Sequence, residues 1–70
     1  MNSSMMKAMI VKNKDNQEKL AQALGLPTSA LNARINGRTE FRLHEVNEIR
    51  KRYGLTQAET MQIFFDDLVS

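Results

Sequence analysis

Cysteine is missing from this chain, which excludes a disulfide staple and a thiolate zinc site. Histidine occurs once, at His44, so a metal centre would have to rest on carboxylates alone; no metal, cofactor or small-molecule ligand is expected. Long apolar runs are absent too. The longest, Ala8 to Val11, is too short to cross a bilayer or to form the apolar segment of a signal peptide. A soluble chain of the cytoplasm, with no membrane partner, is expected. Glycine, proline and serine are scattered, and there is no repeat, linker or low-complexity tract. No catalytic constellation stands out either. His44 has no partner that spacing singles out, and the paired Asp66-Asp67 falls at a helix C-terminus, where carboxylates oppose the dipole. Enzyme activity is not expected.

What is present suits one small domain spanning 1–70. Seventy residues lie near the lower limit of independent folding. Without staples, stability must come from helix packing, with self-association as a further source. The net charge of +2 and a pI ≈ 9.3 permit nucleic-acid binding without demanding it, so the placement of charges decides.

Met6, Met9 and Ile10 recur at i, i+3, i+4, which predicts a first helix over about Ser4 to Lys12, with Met5, Met6 and Met9 as core filler. The polar stretch Asn13-Lys14-Asp15-Asn16 ends it, and Asp15 or Asn16 can cap a second helix. That helix buries Leu20, Ala21 and Leu24, and Gly25 follows where the chain must turn. Leu26 plugs the turn, and Pro27 fits only near the start of a third helix. The third helix carries Ala30, Leu31 and Ile35 inward and shows Thr28, Ser29, Asn32, Ala33 and Asn36 outward, ending at Asn36-Gly37.

Phe41 anchors the next loop. A fourth helix, about Leu43 to Tyr53, is expected to bury Leu43, Val46, Ile49 and Tyr53 and to stop at Gly54. Its Arg50-Lys51-Arg52 cluster, beside Glu45 and Glu48, reads as a charged outer face, and His44 as a surface residue. Thr56 to Glu59 has the form of a capping box opening a fifth helix to about Asp67, with Met61, Phe64, Phe65 and Leu68 as its apolar residues. Phe64 and Phe65 are adjacent and should not share one core. One of them is expected to join Met61, Leu68 or Val69 against a second copy, unless the tail folds back over it. No segment alternates with period two, so the fold is read as all-α with five helices.

Gln17 to Gly37, QEKLAQALGLPTSALNARING, contains the parts of a helix-turn-helix: small or apolar residues where two short helices touch, and a permissive residue at the bend. A side chain larger than Ala21 would push the third helix away from the second. The segment resembles the helix-turn-helix of the phage repressor and Cro family, also called XRE. The resemblance extends through Phe41-Arg42-Leu43 and IRKRYGLT, Ile49 to Thr56. It implies a compact lambda-repressor-like five-helix bundle, with its helix-turn-helix at about 17–36.

The resemblance further implies a transcriptional regulator that binds double-stranded operator DNA as a homodimer, most like a small phage Cro-like repressor. Base contacts would map onto Thr28, Ser29, Asn32 and Ala33. Phosphate contacts would map onto Gln17, Asn36, Arg38 and Thr39; Arg34 is expected to join them, and Lys19 and Arg42 are further candidates. Two positions depart from the family pattern. Lys14-Asp15 stands where relatives usually have a glycine followed by an apolar residue. Arg34 stands where many have an apolar residue; Ile35 is expected to fill that space, freeing the Arg34 head for solvent or phosphate. Two rivals use the same fold: a protein-interaction module such as an antirepressor or accessory factor, and an antitoxin.

The outward residues of the third helix have a chemistry of their own. Hydroxyls at Thr28 and Ser29 specify little alone, whereas Asn32 can pair bidentately with adenine. The methyls of Thr28 and Ala33 suit a thymine methyl, and strong guanine reading would need Arg34 or Arg38. These residues predict an A·T-leaning core half-site. A motif selected from random duplexes with G·C at its contacted centre would overturn that expectation.

Overall fold

Five α-helices follow one another: α1 (Ser3–Lys12), α2 (Gln17–Leu24), α3 (Thr28–Ile35), α4 (Leu43–Tyr53) and α5 (Gln57–Phe64). A 3-10 turn, Asp66–Leu68, comes after α5. The structure, a computed structural model, describes residues 1–68, and no strand occurs among them. Val69, expected near a second copy, lies outside the described residues.

Local chemistry sets most of the helix ends. Asn2 caps α1 by accepting from the Met5 amide at 3.0 Å, and Asn16 caps α2 by accepting from the Lys19 amide at 2.9 Å. Gly25 and Gly54 end α2 and α4 in the left-handed conformation, φ 69° and 62°, where a Cβ would be strained. The capping box at Thr56 and Glu59 is formed in both directions, at 2.9 and 3.1 Å.

The helices close on one core. Met6, Leu20, Leu31, Ile35, Ile49 and Ile63 are completely buried, and Ala21 is nearly so. α2 packs on α3, α1 lies against α3 and α5, and α4 lies against α5. Two bonds tie the start of α1 across the bundle. The Asn2 amide donates to Ile63 O at 2.7 Å, and Ser3 Oγ donates to Ile35 O at 2.6 Å.

Several expectations need correction. Leu43 is 73% exposed, because it opens α4 beyond the edge of the core. The buried face of α5 is Thr60, Ile63 and Phe64, a set spaced i, i+3, i+4, while Met61 is half-buried. Thr60 tolerates burial because its hydroxyl donates to Thr56 O at 2.8 Å. The helix also ends at Phe64, not near Asp67. At Phe65 the backbone leaves the helix (φ −129°, ψ 35°). That bend lets both phenylalanines reach one core, Phe64 buried and Phe65 packed against its edge. Phe64 meets Phe41 edge to face, with ring centroids 5.3 Å apart. Asp66, past the bend, lies 2.8 Å from the amino group of Met1.

The departure at Lys14-Asp15 has a physical answer. Lys14 adopts φ 55°, the left-handed conformation in which glycine costs least. Asp15 then turns inward, only 5% exposed, and takes the place of an apolar plug by bonding to α4. Arg52 donates to both its oxygens, at 2.9 and 3.0 Å, and Tyr53 Oη donates to one at 2.5 Å. The Arg52 guanidinium, helped by the tyrosine hydroxyl, holds the Asp15 carboxyl far below the usual carboxylate range. Burial, and then the Asp15 carboxylate, push the Tyr53 phenol up.

This cluster should appear in the acid limb of stability. Unfolded Asp15 titrates near pH ~3.9 and the folded group well below it, so the unfolded state takes up the proton first. The contribution is therefore complete above about pH 5 and is lost as the pH falls below about 4. Asp15→Ala should cost about 1–3 kcal/mol near neutrality, toward the lower end because water reaches Arg52. Asp15→Asn should flatten the acid limb. Urea unfolding at pH 7 and pH 3 checks this, and equal losses at both pH values would refute it.

Candidate nucleic-acid interface

The α2–turn–α3 unit is built on close contact. Ala21 is 1% exposed, small enough to let α3 approach α2. After the left-handed Gly25, the Leu26 amide donates back to Ala21 O at 2.9 Å, which closes the end of α2 and sends the chain into α3. Pro27 is the residue before α3 and gives it no side-chain cap, so the first-turn amides have no side-chain acceptor there. α3 has eight residues, a length of about 12 Å, similar to the width of a DNA major groove.

Leu31 and Ile35 anchor α3 with no exposure, and Ala30 is half-buried. On the opposite side Thr28 and Ser29 are exposed, while Asn32 and Ala33 are half-buried. Past the helix, Gly37 takes φ 78°, and the Arg38 amide donates to Ala33 O at 2.9 Å. This folds Asn36, Arg38 and Thr39, all exposed, against the outward end of α3. Gln17, half-buried at the first turn of α2, comes to the same surface, where its Oε1 accepts from Asn32 Nδ2 at 3.4 Å. The structure thus brings Gln17, Thr28, Ser29, Asn32, Ala33, Asn36, Arg38 and Thr39 onto the α2–α3 unit and the loop after it. Lys19 and Arg42 are exposed at the flanks.

Arg34 does not join them. Its head is not free. Nε donates to Glu45 Oε1 at 2.8 Å and Nη1 to Ala30 O at 3.3 Å, and the side chain is 12% exposed. Glu45, read from sequence as part of a charged outer face, is instead 1% exposed. Its Oε1 also accepts from the Arg42 amide at 2.9 Å, capping α4. An arginine is tolerated in this largely buried position because α4 supplies a buried counter-charge. The signal available in sequence was Glu45 itself, three residues into a helix, where a glutamate caps the preceding amide. Its ion-pair partner on another helix carried no local signal. Arg52 is likewise withdrawn from the basic cluster by Asp15, which leaves Arg50 and Lys51 exposed; His44 is exposed as expected.

A turn-linked helix pair with an uncapped, polar second helix and basic flanks is the arrangement of a DNA-binding helix-turn-helix. A family model described as helix-turn-helix matches residues 6–56, and the chain belongs to that family, of the XRE type. It is a DNA-binding transcription regulator, in a family of regulators and not of enzymes. Comparison with curated proteins and with solved structures gave no match. Among the described residues no helix is long and apolar enough to cross a membrane, and no cluster of acidic or histidine side chains suits a metal ion.

The Arg34–Glu45 pair predicts a separation of stability from DNA binding. Arg34→Ala leaves a buried carboxylate unpaired and should cost about 3–5 kcal/mol, enough to unfold much of a small domain. Arg34→Met combined with Glu45→Gln keeps an acceptor for the Arg42 amide and should recover most of that loss. The double variant, once shown folded by circular dichroism, should bind DNA with the wild-type salt dependence. A fall of about one in the log–log slope would put Arg34 on a phosphate.

Proposed function

We propose that this chain is a sequence-specific repressor of phage type, similar to Cro, that binds operator DNA as a homodimer. Third helix α3 lies in the major groove, and the whole chain acts as one domain in the bacterial cytoplasm. Thr28, Ser29 and Ala33 face base edges; Gln17, Asn36, Arg38 and Thr39 face the phosphates. Repression is by occlusion, a bound dimer covering promoter DNA against polymerase. The observation that carries the reading is the gathering of these polar side chains on the solvent side of α3 and the loop behind it, over a fully buried inner face.

A second observation supports the dimer. A groove of ≈ 480 Å³ runs between Phe41, Leu43, Val46, Phe64, Phe65 and Leu68, with Glu40 and Asp67 also in its wall, and Leu43 and Leu68 are each 73% exposed. Its wall includes Gly37 and Thr39 of the loop after α3. A second copy seated there lies beside the DNA-facing loop, which suits two recognition helices on one face of a duplex. The same groove would serve the rival reading, a dedicated protein partner such as a toxin.

Selection from random duplexes at about 150 mM salt, where non-specific binding largely drops away, should yield a palindrome with half-sites about one helical turn apart. Leu43→Glu, at an exposed position, should leave the fold intact. It should make the protein monomeric in sedimentation equilibrium and weaken operator binding more than half-site binding. A folded wild type that selects no motif would turn the assignment toward a protein partner.

A further inference from the structure

Asn32 is placed to read a base, yet its side chain is already engaged. Oδ1 accepts from Asn36 Nδ2 at 3.0 Å and from Arg38 Nη2 at 3.1 Å, while Nδ2 donates to Gln17 Oε1 at 3.4 Å. The orientation of the amide follows from chemistry. A guanidinium only donates, so the Asn32 atom facing Arg38 must be the oxygen. The Asn36 atom on that oxygen must then be a nitrogen, and the remaining Asn32 nitrogen must face the oxygen of Gln17.

Bidentate adenine reading needs a lone pair on Oδ1 for the N6 amino group and an N–H for N7. Both lone pairs of this carbonyl are in use. The partners using the amide are Gln17, Asn36 and Arg38, three of the four side chains assigned to the DNA backbone above.

We propose that Asn32 is a positioning residue, which holds Arg38, Asn36 and Gln17 in a preformed phosphate-binding arrangement and does not itself read adenine. Each partner spends on Asn32 only part of its hydrogen-bonding capacity. Gln17 gives its oxygen and keeps its amide nitrogen, Asn36 keeps a second N–H, and Arg38 keeps the rest of its fork for a phosphate. A long arginine side chain held before binding loses less rotamer freedom on the DNA. Base reading then falls to the Thr28 and Ser29 hydroxyls and to the Thr28 and Ala33 methyls, while Asn32 supplies affinity through its neighbours.

The inference rests on α3 facing DNA, and one arm of its test needs no DNA. In the free full-length chain, 15N relaxation of the Arg38 Nε–Hε group reports its order. Asn32→Ala should bring the order parameter below about 0.6, and Asn32→Asp, which keeps the double acceptor, should leave it near the wild-type value. In the second arm, a salt series is run on the selected duplex and on a random one. Asn32→Ala should weaken both by the same factor, about three- to tenfold, and lower the log–log slope by up to about one with the selected motif unchanged. Arg38→Ala should do the same, and the double variant should lose little more. Wild-type order at Arg38 in Asn32→Ala overturns the proposal. So does relaxation of a single motif position with random-duplex affinity intact, the behaviour of a base reader. A wild type that binds no duplex defeats the proposed function instead, and the relaxation arm alone then judges the network.

Discussion

The rest of the molecule depends on the close approach of α2 to α3. Eight residues of α3 cannot be stable alone, since a helix that short does not repay its nucleation in water. It exists because Leu31 and Ile35 are driven into the core and because Ala21 is small enough to let it sit there. The left-handed Gly25 sets the angle at which the chain re-enters, and the contacts of α1 with α3 and α5 hold the pair from behind. With its inner face so fully committed, α3 keeps its outer face polar at no cost to packing.

Around that apolar centre, two charged clusters do work that hydrophobic residues would do more simply. Asp15 with Arg52 and Tyr53 joins the α1–α2 loop to α4, and Arg34 with Glu45 joins α3 to α4. Buried pairs of this kind contribute little net stability over apolar replacements, yet removing one partner is costly. Their effect is geometric: each admits one arrangement of two elements and penalises others. Both also engage an arginine, and the exposed cations beside the α2–α3 unit are Arg38, Arg42 and Lys19.

The polar surface of the α2–α3 unit is itself partly internal in its bonding. Gln17 on α2, Asn32 on α3 and Asn36 and Arg38 just beyond it form one hydrogen-bonded set before any ligand arrives. Preorganisation of this kind shifts the energetic burden from binding to folding. In the proposed reading it also divides the labour on α3, the exposed first turn meeting bases and the later turn the backbone.

Helix periodicity, caps and turn residues made the five helices, the helix-turn-helix and most of its buried contacts legible, because these depend on neighbours within a few residues. Asn16 as a cap, Gly25 and Gly54 as stops and the Thr56–Glu59 box are of that local kind. Leu43 and Phe65 were misread, and Ile63 was overlooked, because burial at the ends of a bundle depends on where the chain bends and which elements cover it. The engagement of Arg34 was missed for a related reason. Whether its head is free or held depends on a partner 11 residues away on another helix, which spacing does not reveal. The sequence by itself determined which segments are helical and which face of each is apolar, since those follow from short-range sterics and hydrogen bonding. Only the tertiary structure decided which charges are paired and which donors remain for DNA, since Coulomb attraction and hydrogen bonding act on distances that the packing of helices creates.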